Sequence, residues 1–309
     1  MVYALALVPV VGLLILIYFN DKKEKEPLGF LFALFFTGMA TVITAIIAEF
    51  LGQLILDAAI PDDTMFKGIF LAIVIVGPAE ELGKFLVLRL MTWKSRNFNY
   101  SYDAIVYAVF VSLGFALLEN IEYVFLHGLS AALFRMFTAV PGHACFAVFM
   151  GFFYSKAKYA ALTGNKGRAA GFTALSMIVP ILIHGVYDAI LMGGRDSGED
   201  VIAGVSLFLW IGFVIALFTV SFILIIRSSR HDFCITTLPN KVQTVYVPRV
   251  LGTWKCSCGT DNYFNYCKEC GKPRPQVMSW HCPNCGTLSA YKFCGNCGTP
   301  RPESRNPVA

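Results

Sequence analysis

Seven stretches of the chain run almost without charge, at about 2–19, 29–56, 66–90, 102–126, 131–155, 170–192 and 202–226, and short polar segments separate them. A helix crossing the hydrocarbon core of a bilayer needs roughly 20 such residues. The pattern therefore predicts an all-α polytopic membrane protein with about seven transmembrane helices over residues 1–227. The first run has no basic residues ahead of it and no small-residue cleavage site. It is followed directly by Asp21-Lys22-Lys23-Glu24-Lys25, so it reads as a retained span rather than a signal peptide. The length of the second run leaves room for a re-entrant piece.

Composition agrees with this pattern. Of 309 residues, 56% are hydrophobic and 15% charged, with a mean hydropathy of +0.62. An ordinary soluble domain carries about 25% charged residues, and a disordered chain has far less apolar surface to bury. The net charge of +5 gains meaning only from its placement. Loops holding Lys22, Lys23 and Lys25, then Lys94 and Arg96, then Lys156, Lys158, Lys166 and Arg168 alternate with poorer ones around Asp57, Asp62 and Asp63, His127, and Asp196, Glu199 and Asp200. With Arg227 and Arg230 after the last run, the positive-inside bias predicts an outside N-terminus and a cytoplasmic tail. The short loops, with no eukaryotic targeting signal, suggest a prokaryotic plasma membrane.

Against this apolar background the few polar residues stand out. A Glu, Asp or Lys at mid-bilayer costs about 2.5–3.5 kcal/mol on insertion scales, so each is expected to face the bundle interior. The third run contains Pro78-Ala79-Glu80-Glu81-Leu82-Gly83-Lys84, which places Lys84 within helical reach of both carboxylates. Two adjacent carboxylates cannot both ionise cheaply, a property that suits a general base holding water. The fourth run carries Glu119 deep within it and Glu122 nearer the outer boundary. The fifth carries His143 after Pro141-Gly142. The sixth carries His184 and Asp188 on one face, where the carboxylate can orient the ring. Glu49 and Gln53 share a face of the second run and read as helix-packing residues. Together these groups form the inventory of a water-activating hydrolase.

These residues resemble the motif set of the PrsW family of intramembrane proteases, part of the larger group with type II CAAX prenyl proteases and bacteriocin-immunity proteases. The Glu-Glu-x-x-Lys helix is matched by Glu80, Glu81 and Lys84. Phe115 and Glu119 match Phe-x-x-x-Glu, and His184 and Asp188 match His-x-x-x-Asp. His143 lies in the intervening span, where the family has a further polar position. The resemblance covers roughly residues 28–192 and implies endopeptidase cleavage of a membrane-anchored protein, as in the clipping of anti-sigma factors. It brings two chemistries with it, a metalloprotease and a glutamate-activated water. The chain departs from the CAAX relatives where they have histidine at Glu119 and asparagine at Asp188. The implied roles are Glu80 as general base, Glu119 and His143 positioning the water or a zinc ion, His184 facing the oxyanion under the guidance of Asp188, and Lys84 keeping Glu81 ionised.

Residues 228–249 read as a polar linker, and the tail beyond them repeats itself. Cys256, Cys258, Cys267 and Cys270 over 250–275 are followed by Cys282, Cys285, Cys294 and Cys297 over 276–302. Each unit offers two cysteine pairs eight residues apart, the ligand set of one structural zinc in a zinc ribbon. Cysteines reduced in the cytosol suit zinc rather than disulfides. The Trp-x-Cys openings, Asn262 and the Pro-Arg-Pro endings resemble Ran-binding-protein-type fingers, some of which bind RNA or ubiquitin. A protein-adaptor role is favoured over RNA, although Arg274, Arg301, Tyr263, Phe264 and Tyr291 are able to stack on bases.

Two other classes compete with the enzyme. Intramembrane carboxylates and histidines also serve ion-coupled transporters, but the paired inverted repeats typical of those folds are not evident here, although Pro78, Pro141-Gly142 and Pro180 are able to break helices. An inactive scaffold for the tail would have no reason to keep costly mid-membrane carboxylates.

Overall fold

A backbone inside hydrocarbon must satisfy its own hydrogen bonds, and each of the apolar runs does so as a helix. The computed structural model describes residues 2–62, 64–236, 245–246, 254–262, 266–272 and 278–302. Its helices are α1 (Val2–Asn20), α2 (Leu28–Ala59), α3 (Met65–Phe70), a π-helical turn (Leu71–Val76), α4 (Gly77–Thr92), α5 (Asp103–Phe137), α6 (Ala139–Leu162), α7 (Lys166–Asp196) and α8 (Asp200–Arg230). The backbone stays helical through Leu71 and Val76, so α3, the π turn and α4 make one rod; the described residues then hold seven helical rods, of which α5 is broken at Gly128. Five helical stretches within 28–59 and 103–230 are long and apolar enough to cross a membrane by themselves.

Helix α5 is the centre of the bundle. Its residues from Ala104 to Leu117 are nearly all buried, packed by Leu31, Leu34 and Phe35 of α2 and by Val140, Ala147 and Met150 of α6. Helices α2 and α8 turn Ile43, Phe50 and Ile55, and Phe208 and Ile215, outward, as lipid-facing surfaces do.

The π turn has a local cause. Pro78 has no N–H to give to Val74 and its ring crowds that carbonyl, so the ladder immediately before it widens, and the Gly77 N–H bonds back to Ala72. At this turn the rod also packs backbone to backbone against α7. A Cβ on Gly77 would lie 2.9 Å from the Ile181 carbonyl oxygen, and one on Gly185 would lie 2.9 Å from the Ile73 Cα. Only glycine at both positions lets α7 bring His184 against the carboxylates of α4.

Residues 228–236, which read as the start of a linker, belong instead to the membrane unit, and the chain divides after Thr236. Helix α8 runs on to Arg230. The segment after it then pairs with 99–101 through Ile235 N–H to Asn99 O and Ser101 N–H to Phe233 O, and Ile235 is fully buried. The Asp232 carboxylate accepts hydrogen bonds from the Ser101 hydroxyl and the Tyr102 N–H, both at 2.8 Å.

The same end of the bundle buries Asp21, whose two carboxylate oxygens have no hydrogen-bond partner. Burial pushes its carboxyl up to about 6, and likewise pushes Glu26, which accepts the Tyr107 hydroxyl, up to about 7. A folded-state pKa above the unfolded one contributes stability that is complete at acid pH and fades as pH rises through about 6. Asp21→Asn is therefore expected to raise the melting temperature of the detergent-solubilised protein at pH 8, by about 2–4 °C for each kcal/mol recovered, and to leave it unchanged at pH 4. Equal shifts at both pH values would show that the Asp21 charge costs nothing.

In the tail unit, β1 (Val245–Tyr246), β4 (Met278–His281) and β5 (Leu288–Ser289) form one small antiparallel sheet, and β2 (Trp254–Lys255) pairs with β3 (Asp261–Asn262). The four cysteine pairs sit on four similar turns. In each, the glycine after the second cysteine (Gly259, Gly271, Gly286 or Gly298) has a φ between 68° and 90° and gives its N–H to the carbonyl of the first. That backbone is strained for any residue with a Cβ.

Candidate active site

Four helices converge on one buried cluster. The face of α4 carrying Glu80, Glu81 and Lys84 meets Phe115 and Glu119 of α5, His143 of α6, and His184 and Asp188 of α7. The Lys84 ammonium is its hub. It donates to Glu80 Oε2 at 2.9 Å, to Glu81 Oε1 at 2.8 Å and to His143 Nδ1 at 3.2 Å, with the Phe115 ring centroid 3.9 Å away. All seven residues expected to form the site are thus brought together.

Donor and acceptor counting fixes the two imidazoles. His143 Nδ1 faces an ammonium, which has no acceptor, so it must accept; its Nε2 then carries the hydrogen and donates to Glu119 Oε2 at 2.8 Å. In contrast, His184 meets a carboxylate at each nitrogen: Glu81 Oε1 is 3.0 Å from Nδ1 and Asp188 Oδ2 is 3.2 Å from Nε2. Each ring nitrogen thus faces a carboxylate oxygen, an arrangement that an imidazolium satisfies with both of its N–H groups. Its ring stacks on Phe146, with centroids 4.6 Å apart and planes at 21°.

The carboxylates have different access to water. The Glu81 side chain is fully buried, whereas the Glu80 side chain keeps 6% of its surface exposed and its Oε2 lies 3.9 Å from Nδ1 of both histidines. Glu119 and Asp188 stand behind the histidines rather than at the centre, and their side chains are 14% and 24% exposed. Glu49 is half-buried on α2, close enough to couple electrostatically to Glu80 and Glu119. Gln53 is directed elsewhere, to Asp57 at 2.6 Å, and Glu122 is exposed beside an apolar groove of about 350 Å³ between α2 and α5.

One atom each from Glu80, Glu81, His143 and His184 fall within 4.8 Å of one another, a donor set that zinc accepts chemically. Three of those four residues also hold the Lys84 ammonium, through Glu80 Oε2, Glu81 Oε1 and His143 Nδ1. A metal bound through those same atoms would compete with the ammonium for them, two positive charges drawing on one donor set. In this arrangement the ammonium holds those three groups, and a metal would have to take them from Lys84.

Removing one partner from a buried ion pair costs about 3–5 kcal/mol. Lys84→Met is accordingly expected to lower the melting temperature of the purified protein by on the order of 10 °C. An unchanged melting curve would show that the carboxylates do not depend on this cation.

Sequence reasoning did not single out Arg135. Its Nη2 is 2.7 Å from Glu119 Oε2, its Nε donates to Asn120 Oδ1 at 3.1 Å, and its guanidinium lies 3.7 Å over the Tyr123 ring. The signal was present, because Arg135 is a charge within the apolar run 131–155 and the rule that marked Glu119 applies equally to it.

In the tail, the sulfurs of Cys256, Cys258, Cys267 and Cys270 form one cluster and those of Cys282, Cys285, Cys294 and Cys297 another, with Sγ–Sγ contacts of 3.3–3.5 Å. Both are able to hold a tetrahedral zinc. Asn262 is buried and committed to its own loop, accepting from the Lys268 N–H and donating to Thr260 O. In the second unit Ser289 takes a comparable part, donating to Phe293 O. Tyr291 and Arg301 are exposed, while Tyr263, Phe264 and Arg274 lie outside the described residues.

Comparison with known proteins gives a consistent result. The family model described as PrsW family intramembrane metalloprotease matches residues 26–224, and the tail lies outside the match. A Protease PrsW of Clostridioides difficile is 32% identical over 198 residues, which is 62% of this chain and 79% of that protein. Proteins of the same name from Geobacillus kaustophilus and Bacillus subtilis are each 34% identical, over 190 and 183 residues, covering 62% and 59% of this chain and 79% of each relative. No solved structure matches.

Proposed function

The chain belongs to the PrsW family of intramembrane metalloproteases, and we propose that it cleaves a membrane-anchored regulatory protein by a glutamate-activated water, with the Lys84 ammonium as the cation of its site. That it is a multi-pass membrane peptidase follows from the family. The substrate class, the residue roles and the orientation, with the N-terminus outside and the tail in the cytoplasm, are our reading. An anti-sigma factor is the kind of substrate this reading favours.

The observation that carries the mechanism is the difference between the two adjacent glutamates. Lys84 bonds both, yet of the two only Glu80 keeps any exposed surface. In this mechanism Glu80 takes a proton from a water, and the resulting hydroxide adds to the scissile carbonyl carbon. His184, kept doubly protonated by Glu81 and Asp188, faces the growing negative charge on the carbonyl oxygen. The tetrahedral intermediate collapses as the C–N bond breaks, and Glu80 returns its proton to the leaving amine. His143, neutral and fixed by Glu119, holds Lys84 between the carboxylates and borders the water. A zinc in each tail cluster would provide folding energy rather than chemistry, and a protein partner for the tail suits the exposed Tyr266 and Tyr291.

The test is a comparison of membrane-protein N-termini in host cells with and without the chain. New N-termini mapping near a membrane boundary of single-span proteins are expected. Cleavage confined to soluble proteins, or no new termini at matched expression, would overturn the reading.

A further inference from the structure

Arg135 is 15 residues beyond Asn120 along the chain, yet their side chains touch. A continuous helix would put them about 22 Å apart, at 1.5 Å per residue. The chain returns because Gly128 breaks the helix, with φ 75° and ψ −157°, a backbone that residues with a Cβ rarely adopt. The apolar segment after the break thus carries a guanidinium back to the site and largely buries it, with 13% of the side chain exposed. Burying that charge is costly, so its partner matters.

That partner is one atom. Glu119 Oε2 meets Arg135 Nη2 at 2.7 Å and His143 Nε2 at 2.8 Å. Asn120 and the Tyr123 ring hold the guanidinium from two further sides, so it cannot move without losing three contacts. Because Glu119 takes the Nε2 hydrogen, His143 Nδ1 stays free to accept from Lys84. A protonated or displaced Glu119 would release that tautomer. A hydrogen on Nδ1 would then point at the ammonium, donor against donor.

We propose that Arg135 is a positioning residue for the proteolysis, acting through Glu119 to hold His143 in the tautomer that keeps Lys84 between Glu80 and Glu81. This rests on the reading of the cluster as the active site. Arg135 touches no reacting atom, and its influence passes along Arg135, Glu119, His143 and Lys84 as a single unit.

Residues acting as a unit give non-additive losses. The test is a double-mutant cycle on the full-length chain in membranes. Its probe is the single-span host protein that yields the most abundant new N-terminus with the wild-type chain. Arg135→Gln and Glu119→Gln are each expected to slow cleavage about 10-fold or more, and the double variant to be no slower than Glu119→Gln alone. Arg135→Lys, which keeps a cation beside Glu119, is expected to recover part of the rate. Abundance and melting temperature are measured for every variant. Losses that multiply in the double variant, an Arg135→Gln rate equal to wild type, or a loss that follows the melting temperature would each overturn the proposal. Glu80→Gln on the same probe separates the two failures. Wild-type cleavage there removes the assignment of the site, whereas multiplicative losses with Glu80→Gln inactive remove only the role of Arg135.

Discussion

Replacing Glu80 by glutamine is expected to lower the cleavage rate by about 10²–10⁴, the usual contribution of a positioned general base, at unchanged protein abundance. Glutamine has the shape of glutamate, and its carbonyl oxygen can still accept from Lys84 Nζ, so the 2.9 Å contact that ties α4 together survives. What is lost is the ability to take a proton. The same change at Glu81 has another consequence. Glu81 is fully buried and its Oε1 accepts from both Lys84 and His184; an amide oxygen can keep both contacts, but it removes the negative charge that both of those groups face. Glu81→Gln should therefore cost stability as well as activity, whereas Glu80→Gln should cost activity alone. The new N-termini counted by terminal proteomics, together with melting curves, distinguish the two. Intact proteolysis in Glu80→Gln would refute the base assignment, and equal melting losses in the two variants would refute the division of labour.

Local spacing made part of this site legible. Glu80, Glu81 and Lys84 lie within one helical turn of each other, as do His184 and Asp188, and the structure places each group on one face. Contacts between distant parts of the chain were not legible. Lys84 and His143 are 59 residues apart, and Glu81 and His184 are 103 apart. Nothing in a helical period says that an ammonium, rather than a metal or a water, stands between them. Glu119 was expected, with His143, to position the water or hold a zinc ion; that its Oε2 would meet both His143 and Arg135 was not legible. The return of Arg135 depends on a break at Gly128, and a glycine in an apolar run has no unique reading. Likewise the seven rods follow from hydropathy, but residues 228–236 look polar and unstructured because their order comes from backbone pairing with 99–101 and the burial of a single isoleucine.

Metal removal is expected to divide the molecule in two. A strong chelator should unfold the tail, because among the described residues each small unit buries little more than its cysteines, with Asn262 in the first and Trp280 and Ser289 in the second, whereas zinc in such sites supplies about 10–16 kcal/mol of folding free energy at neutral pH. The indole of Trp280 is fully buried and donates to Tyr291 O, so its fluorescence reports the loss once Trp93, Trp210 and Trp254 are replaced by Phe. Cleavage by the membrane unit should persist, because there the Lys84 ammonium already satisfies three of the four groups that would ligate a metal. A Cys256→Ser/Cys282→Ser chain, with both tail sites broken beforehand, isolates the second statement. If chelation stops its proteolysis and zinc restores it, the transmembrane cluster binds metal and Lys84 must leave the centre when it does. If its cleavage is indifferent to chelation, the charge that the reaction needs is built into the chain, held in place by Glu80, Glu81 and His143.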